Sequence, residues 1–306
     1  VTGFDRDLID ALGHQVVGRR REIEAVVAAL DAGRHLLLEG PPGTGKSTLL
    51  RSLAEAIGTG FEFVEGNAEL TPARLVGSFD PAAVLESGYS PEVFLDGPLL
   101  AAMKEGALLY LEEVNRVPEE TLNVLITVMS EGELHVPRLG RVTAAEGFRL
   151  VAAMNPFDAV GTARISAAVY DRCCRLTMGY QAAADEALIV GREAGDAAQR
   201  LAPGVVLSIV GLVRATRDHP DLRSGSSVRG AIDTALLIDR LAHLRGVDHR
   251  DPTVTLDAAV LALSGRIRVR EGCSRTPEEI IEELWRIHLG PPVNQQPEGD
   301  SSDPKA

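Results

Sequence analysis

Two rhythms of apolar and polar positions run along this chain, and the pattern changes near residue 181. Ile23, Val26, Val27 and Leu30 recur at intervals of three and four, and residues 1–34 are predicted to be helical. His35–Glu39 is a short apolar run that stops at a Gly/Pro-rich turn, as a buried strand would. Lys46–Ile57 returns to the helical interval, with Leu49, Leu50, Leu53 and Ile57 on one face. Phe61–Glu65 reads as a second strand, and Ala107–Leu111, apolar throughout, as a strand covered on both faces. Behind a proline at its start, Pro118–Met129 repeats Leu122, Leu125, Ile126 and Met129 at helical spacing. Glu133–Val136 and Arg141–Thr143 flank a Pro-Arg-Leu-Gly turn and are expected to pair as a hairpin. Phe148–Met154 and Arg175–Met178 complete the strand candidates. Residues 66–106, punctuated by Pro72, Gly77, Pro81, Gly88, Pro91, Gly97 and Pro98, predict loops with short helices.

Beyond residue 181 the pattern is helical alone: Asp185–Ala194, Val205–Thr216, Ser227–Leu244, Leu256–Leu263 and Glu278–Ile287. Strands alternating with helices, then helices only, predict an α/β domain over residues 1–180 followed by a smaller all-α domain over 181–290. The first should be three layers, αβα, around a parallel sheet. Residues 291–306, rich in Pro, Gln, Ser and Asp, are expected to be a disordered tail.

Composition narrows the picture modestly. The 306 residues are 45% hydrophobic and 25% charged, which suits a soluble globular chain of about two domains. The formal charge of −13 and the 4% aromatic content disfavour a phosphate-backbone partner and a base-stacking platform, so no nucleic acid is expected. Cys173 and Cys174 are adjacent, Cys273 is the third cysteine, and no C-x-x-C occurs, so reduced thiols are expected. No apolar run has the roughly 18–20 residues needed to span a bilayer, and no signal-peptide pattern opens the chain; a cytoplasmic location is expected.

The candidate chemistry begins at the turn after the first strand. Gly40-Pro41-Pro42-Gly43-Thr44-Gly45-Lys46-Ser47 fits G-x-x-x-x-G-K-[ST], with Thr48 following. Glycines let successive backbone N–H groups point inward as a cage for anionic oxygens, and the following helix directs its positive end to the same place. Lys46 can then reach the β- and γ-phosphates, and the Ser47 hydroxyl can ligate Mg²⁺. The bare pattern arises by chance in roughly one chain in a hundred of this length. Here a strand precedes it and a helix follows, as a phosphate loop requires. A second half is supplied by Leu108-Leu-Tyr-Leu-Glu112-Glu113, an apolar strand that delivers two acids at its C-terminal edge. Glu112 is expected to hold Mg²⁺ through water, and Glu113 to orient or deprotonate the attacking water.

These motifs, followed by Ala153-Met-Asn155-Pro156, Tyr170-Asp-Arg172 and Ser226-Ser-Val-Arg229, occur in the order seen in AAA+ ATPases. Together with Val17-Gly18 and Gly97-Pro98, the set most resembles the MoxR branch, near the magnesium-chelatase ATPase subunits, over about residues 14–270. The resemblance implies ATP as the nucleotide, Asn155 as the sensor 1 residue, Arg172 as an arginine finger acting in a neighbouring subunit, and Arg229 as sensor 2. It implies a homo-oligomeric ring, expected to be a hexamer, and a von Willebrand factor A (VWA) domain protein or another client complex as partner. It places residues 66–100 at a helix 2 insertion and 133–147 at a pre-sensor 1 hairpin. One departure stands out: the family usually has Asp-Glu where this chain has Glu112-Glu113. A displacement of about an ångström at a reacting centre can cost 10²-fold, so a nucleotide-gated scaffold with negligible turnover is the alternative to an ATPase that remodels a partner.

Overall fold

The computed structural model of this protein describes residues 4–156 and 165–291, and the chain divides into two compact units, Val1–Ala182 and Ala183–Ala306. The sequence-predicted tail lies, past Pro291, outside the described residues.

The first unit runs α1 (Arg6–Gln15), α2 (Arg20–Asp31), β1 (His35–Glu39), α3 (Lys46–Ile57), β2 (Phe61–Glu65), α4 (Pro72–Val76), β3 (Gly77–Phe79), α5 (Pro81–Ser87), β4 (Phe94–Asp96), α6 (Pro98–Glu105) and β5 (Leu108–Glu112). It continues through α7 (Glu119–Glu131), β6 (Glu133–Val136), β7 (Gly140–Thr143), β8 (Arg149–Met154), α8 (Ala167–Arg172) and β9 (Cys173–Thr177). Five strands form one parallel sheet in the order β2-β5-β8-β1-β9. Its inner strands are apolar at nearly every position because both faces are covered. Leu36, Leu38, Leu108, Tyr110, Val151 and Ala153 point to the layer of α1, α2 and α3. Leu37, Leu109, Leu111, Leu150 and Ala152 point to the opposite layer, with side chains from α4, α6 and α7. This is the expected three-layer arrangement.

The structure adds to the sequence reading in three places. The helical stretch ahead of β1 is two helices, α1 and α2, and Gly18 turns the chain between them at φ 67°. The 66–106 region holds the antiparallel pair β3/β4 besides its short helices. Strands of three residues are too short to show a period. Phe79 sits edge-on to both Phe94 and Tyr89, with centroids 4.9 and 5.0 Å apart. Arg138, at the tip of the β6–β7 hairpin, lays its guanidinium 3.7 Å from the centre of the Tyr89 ring. The two excursions from the sheet are thereby pinned to each other.

The second unit comprises α9 (Ala183–Glu193), α10 (Asp196–Arg200), α11 (Val205–Asp218), β10 (Leu222–Ser224), α12 (Val228–Arg245), α13 (Pro252–Leu263), β11 (Arg268–Val269) and α14 (Pro277–His288). Here is the third addition: this unit, helical as expected, also carries the short antiparallel ribbon β10/β11. Its core gathers Ile209, Val213, Ala235, Ile238, Ala258, Leu263, Ile280 and Trp285. Asp239 is buried there, and Arg200 grips it with two hydrogen bonds of 2.7 and 2.8 Å. That guanidinium holds the Asp239 carboxyl down to about 2, against the burial that would raise it.

Candidate functional site

The sheet order decides what can meet. All five strands are parallel, so the segments leaving β1, β5 and β8 emerge along one edge, with β8 in the middle. The loop Gly40–Gly45 follows β1, Asn155 follows β8, and Glu112 ends β5 with Glu113 directly after it. Register fixes the neighbours: Glu39 pairs with Met154 and Leu111 with Ala152. Gly40 N–H donates to the Met154 carbonyl at 3.1 Å, stitching the loop to β8 just before half-buried Asn155.

In the loop itself, Gly43 and Gly45 take positive φ of 74° and 86°, where a side chain would be strained. Gly45 caps α3 with no side chain of its own, leaving the first N–H groups of the helix directed at the loop. Lys46 is buried, and its ammonium donates to the Gly40 and Pro41 carbonyls at 2.9 and 3.0 Å. Ser47 Oγ stands 3.4 Å from both carboxylate oxygens of Glu112 and 3.3 Å from the Tyr110 hydroxyl. The loop, the serine and the first acid are therefore brought together.

Glu113 has the left-handed backbone (φ 53°, ψ 42°), a conformation that costs an ordinary L-residue about 1–2 kcal/mol. A 3₁₀ turn, Val114–Arg116, follows, and the Arg116 Nε lies 2.8 Å from the Glu113 carboxylate. Gly66, just beyond β2, backs this turn: its N–H donates to the Glu112 carbonyl at 2.8 Å. A β-carbon at 66 would lie 2.5 Å from the Glu113 carbonyl and 2.8 Å from that of Glu112. Gly66→Ala is therefore expected to push the acidic pair out of place. Turnover should drop about 10²-fold, the cost of an ångström's displacement, with nucleotide affinity little changed because the loop stands on β1. Phosphate release and a nucleotide titration on the same protein check it.

Arg172 is not at this edge. It ends α8, one residue before Cys173, which pairs with His35 at the start of β1. The loop follows Glu39 at the other end of that strand, roughly 13 Å further on at 3.3 Å per residue. Arg172 donates to Ser130 Oγ on α7 and to the Ala168 carbonyl. Arg229 is the second residue of α12, in the second unit.

Four residues at or beside the site were not singled out from sequence. Arg19 is 3% exposed, donates to the Thr44 and Gly179 carbonyls at 2.8 and 2.5 Å, and pairs with Glu22 at 2.7 Å. It lies beside a cavity of about 700 Å³ lined by Asp10, Val16, Gly18 and Glu22. Glu39, 2% exposed, accepts from Arg175 at 2.7 Å and from Tyr170 at 3.1 Å. Gly66 is the third. Tyr110 is fully buried, and burial above all pushes its phenol well above the ordinary value, so the hydroxyl keeps its proton. Cys173 packs its thiol against Met129 at 3.6 Å, and burial pushes it up to about 12; Cys174 is exposed.

Residues 35–173 match the AAA domain, dynein-related subfamily. The first unit has the AAA+ P-loop fold. Uncharacterized protein YeaC of Bacillus subtilis (strain 168) is 28% identical, over 83% of this chain and 82% of that protein. An uncharacterized protein of Staphylococcus aureus (strain bovine RF122 / ET3-1) is 36% identical over 155 residues, which are 50% of this chain and 58% of the relative. The match thus spans little more than half of the staphylococcal protein. Among solved structures, a candidate ATPase from Cytophaga hutchinsonii ATCC 33406 superposes with a TM-score of 0.52 at 21% identity, covering 92% of this chain and 93% of that one. The Thermotoga maritima RuvB Holliday junction branch migration motor gives 0.50 at 17% identity, covering 84% and 69%. At such identities the structures speak for the AAA+ fold alone.

Proposed function

We propose that this chain binds ATP at the Gly40–Thr48 loop and hydrolyses it to ADP and phosphate, working as a ring of identical subunits that remodels or matures a partner complex. The observation that carries this reading is the meeting of Ser47 and Glu112, 3.4 Å apart across two elements distant in sequence, beside a lysine already buried in the phosphate loop. Two oxygen donors of this kind suit Mg²⁺, which is commonly held by one or two protein groups and the substrate's phosphates. Among the described residues no cluster of three or more His, Cys, Asp or Glu could hold a metal by itself, so the phosphates would have to complete the shell. Bound there, the cation would neutralise charge on the transferring phosphoryl group.

The protein's own groups do the rest. Backbone N–H groups of the loop and the Lys46 ammonium hold the phosphate tail. Glu113 orients water and accepts its proton, and Asn155, just after β8, helps place that water. Arg172 completes the site of a neighbouring subunit, and Arg229 reports nucleotide state from the second unit. MoxR-type client maturation with a VWA-domain partner, including metal insertion, rests on the sequence resemblance. So does the hexameric ring; the cytoplasmic location rests instead on the apolar pattern of the sequence, and among the described residues no helix is long and apolar enough to cross a membrane.

The test is phosphate release by wild type and by Glu113→Gln. Wild type should turn over and the variant should fall at least about 10²-fold, the scale of a lost general base, while still binding nucleotide. Equal background release from both would leave the second reading, a nucleotide-gated scaffold. That reading is favoured by the 2.8 Å pairing of Glu113 with Arg116, which occupies the proposed base.

A further inference from the structure

We propose that the Tyr110 hydroxyl is a positioning group for the cation site of Ser47 and Glu112, matched in reach to a glutamate at position 112. The inference rests on the nucleotide-binding reading above and deepens it. Tyr110 precedes Glu112 by two residues on β5, so both side chains leave the same face of the strand. That face looks toward α3, whose second residue is Ser47. The neighbouring inward positions, Leu108, Val151 and Ala153, are aliphatic, so core packing alone needs no hydroxyl here. The ring packs among Phe61 and Phe63, at 6.1 and 5.7 Å, and its polar tip is carried up to the acid. There Tyr110 Oη lies 3.3 Å from Ser47 Oγ, which is itself 3.4 Å from both carboxylate oxygens of Glu112, so the phenol, the serine and the acid form one cluster.

Counting protons shows what the hydroxyl does. A serine and a phenol bring one proton each, and an ionised carboxylate brings none. When both protons go to Glu112, the lone pairs of Ser47 stay free for a cation, and the carboxylate is anchored from two sides. Remove the phenol, and Glu112 keeps only the serine, at 3.4 Å, longer than an ordinary O–H···O bond. The long glutamate side chain then loses its fixed aim. Groups that orient metal ligands in this way typically change metal affinity by about 10–100-fold.

The experiment is calorimetry of AMP-PNP binding against Mg²⁺ concentration, which reads metal coupling without turnover. Tyr110→Phe should keep its Mg²⁺-free affinity within about twofold of wild type, while the Mg²⁺ needed for half the enhancement rises about 10-fold or more. An unchanged Mg²⁺ dependence would overturn the proposal. Glu112→Asp provides a second route that leaves the core intact. It withdraws the carboxylate from the phenol, so it should weaken Mg²⁺ coupling in the wild-type background and add little to Tyr110→Phe. Additive losses, or tighter Mg²⁺ coupling in Glu112→Asp than in wild type, would refute the matched pair. If wild type binds no AMP-PNP with or without Mg²⁺, the nucleotide reading itself fails, an outcome distinct from a failure at Tyr110.

Discussion

Lys46→Ala is expected to lower ATP affinity by at least about 100-fold, close to 3 kcal/mol, the scale of removing one partner from a desolvated charge pair. The ammonium is already in position: it is buried and held by two carbonyls of the loop that would cradle the phosphates. Triphosphate binding therefore redirects a fixed charge rather than ordering a free side chain, which saves the entropy of immobilising it. The same bonds mean that the alanine variant strips partners from the Gly40 and Pro41 carbonyls, at about 1–3 kcal/mol for a buried group left unsatisfied. A melting curve must accompany the titration. A folded Lys46→Ala protein that binds ATP as wild type does would remove the phosphate-loop role.

The second large effect concerns Arg172→Ala. Turnover should fall about 10³-fold or more, the measured range for arginine fingers elsewhere, with nucleotide affinity unchanged. Affinity is spared because Arg172 stands at the edge of the sheet opposite its own loop, beside Cys173 and His35. Mixing this protein with Lys46→Ala discriminates sharply. One variant retains a sound loop, the other a sound arginine, and an interface joining them is complete. In an equal, random mixture about a quarter of the head-to-tail interfaces would be of that kind, so activity should return to a comparable fraction of wild type. Absence of rescue at any mixing ratio would sink the intersubunit assignment.

Much of this architecture is legible in the chain because its inner strands are covered on both faces. Of these, His35–Glu39 falls at its predicted bounds, and Ala107–Leu111 and Phe148–Met154 shift by a residue at one or both ends; the edge strand Phe61–Glu65 is also found at its predicted bounds. Periodicity fails where an element is too short for its alternation to recur, as in β3, β4, β10 and β11. The contiguous loop and the acidic pair could be seen as motifs. Tyr110, Gly66 and Glu39 could not, since their meaning comes from cross-strand register and from which face of β5 looks at α3. Arg19 illustrates a different blindness: an arginine in a charged stretch looks solvated, and only the folded chain shows it inserted between the Thr44 and Gly179 carbonyls. The hydroxyl in an otherwise aliphatic strand was the one available signal for Tyr110.

The left-handed turn at Glu113 has an implication for how this protein can change over generations. A lineage screened only for thermal resistance would drift toward glycine there, recovering roughly 1 kcal/mol and leaving the turn intact. A lineage screened for phosphate release would be held at glutamate despite that gain. Comparing the residues that survive at this one codon under the two screens would measure how much robustness the molecule forgoes to keep an acid aimed at water.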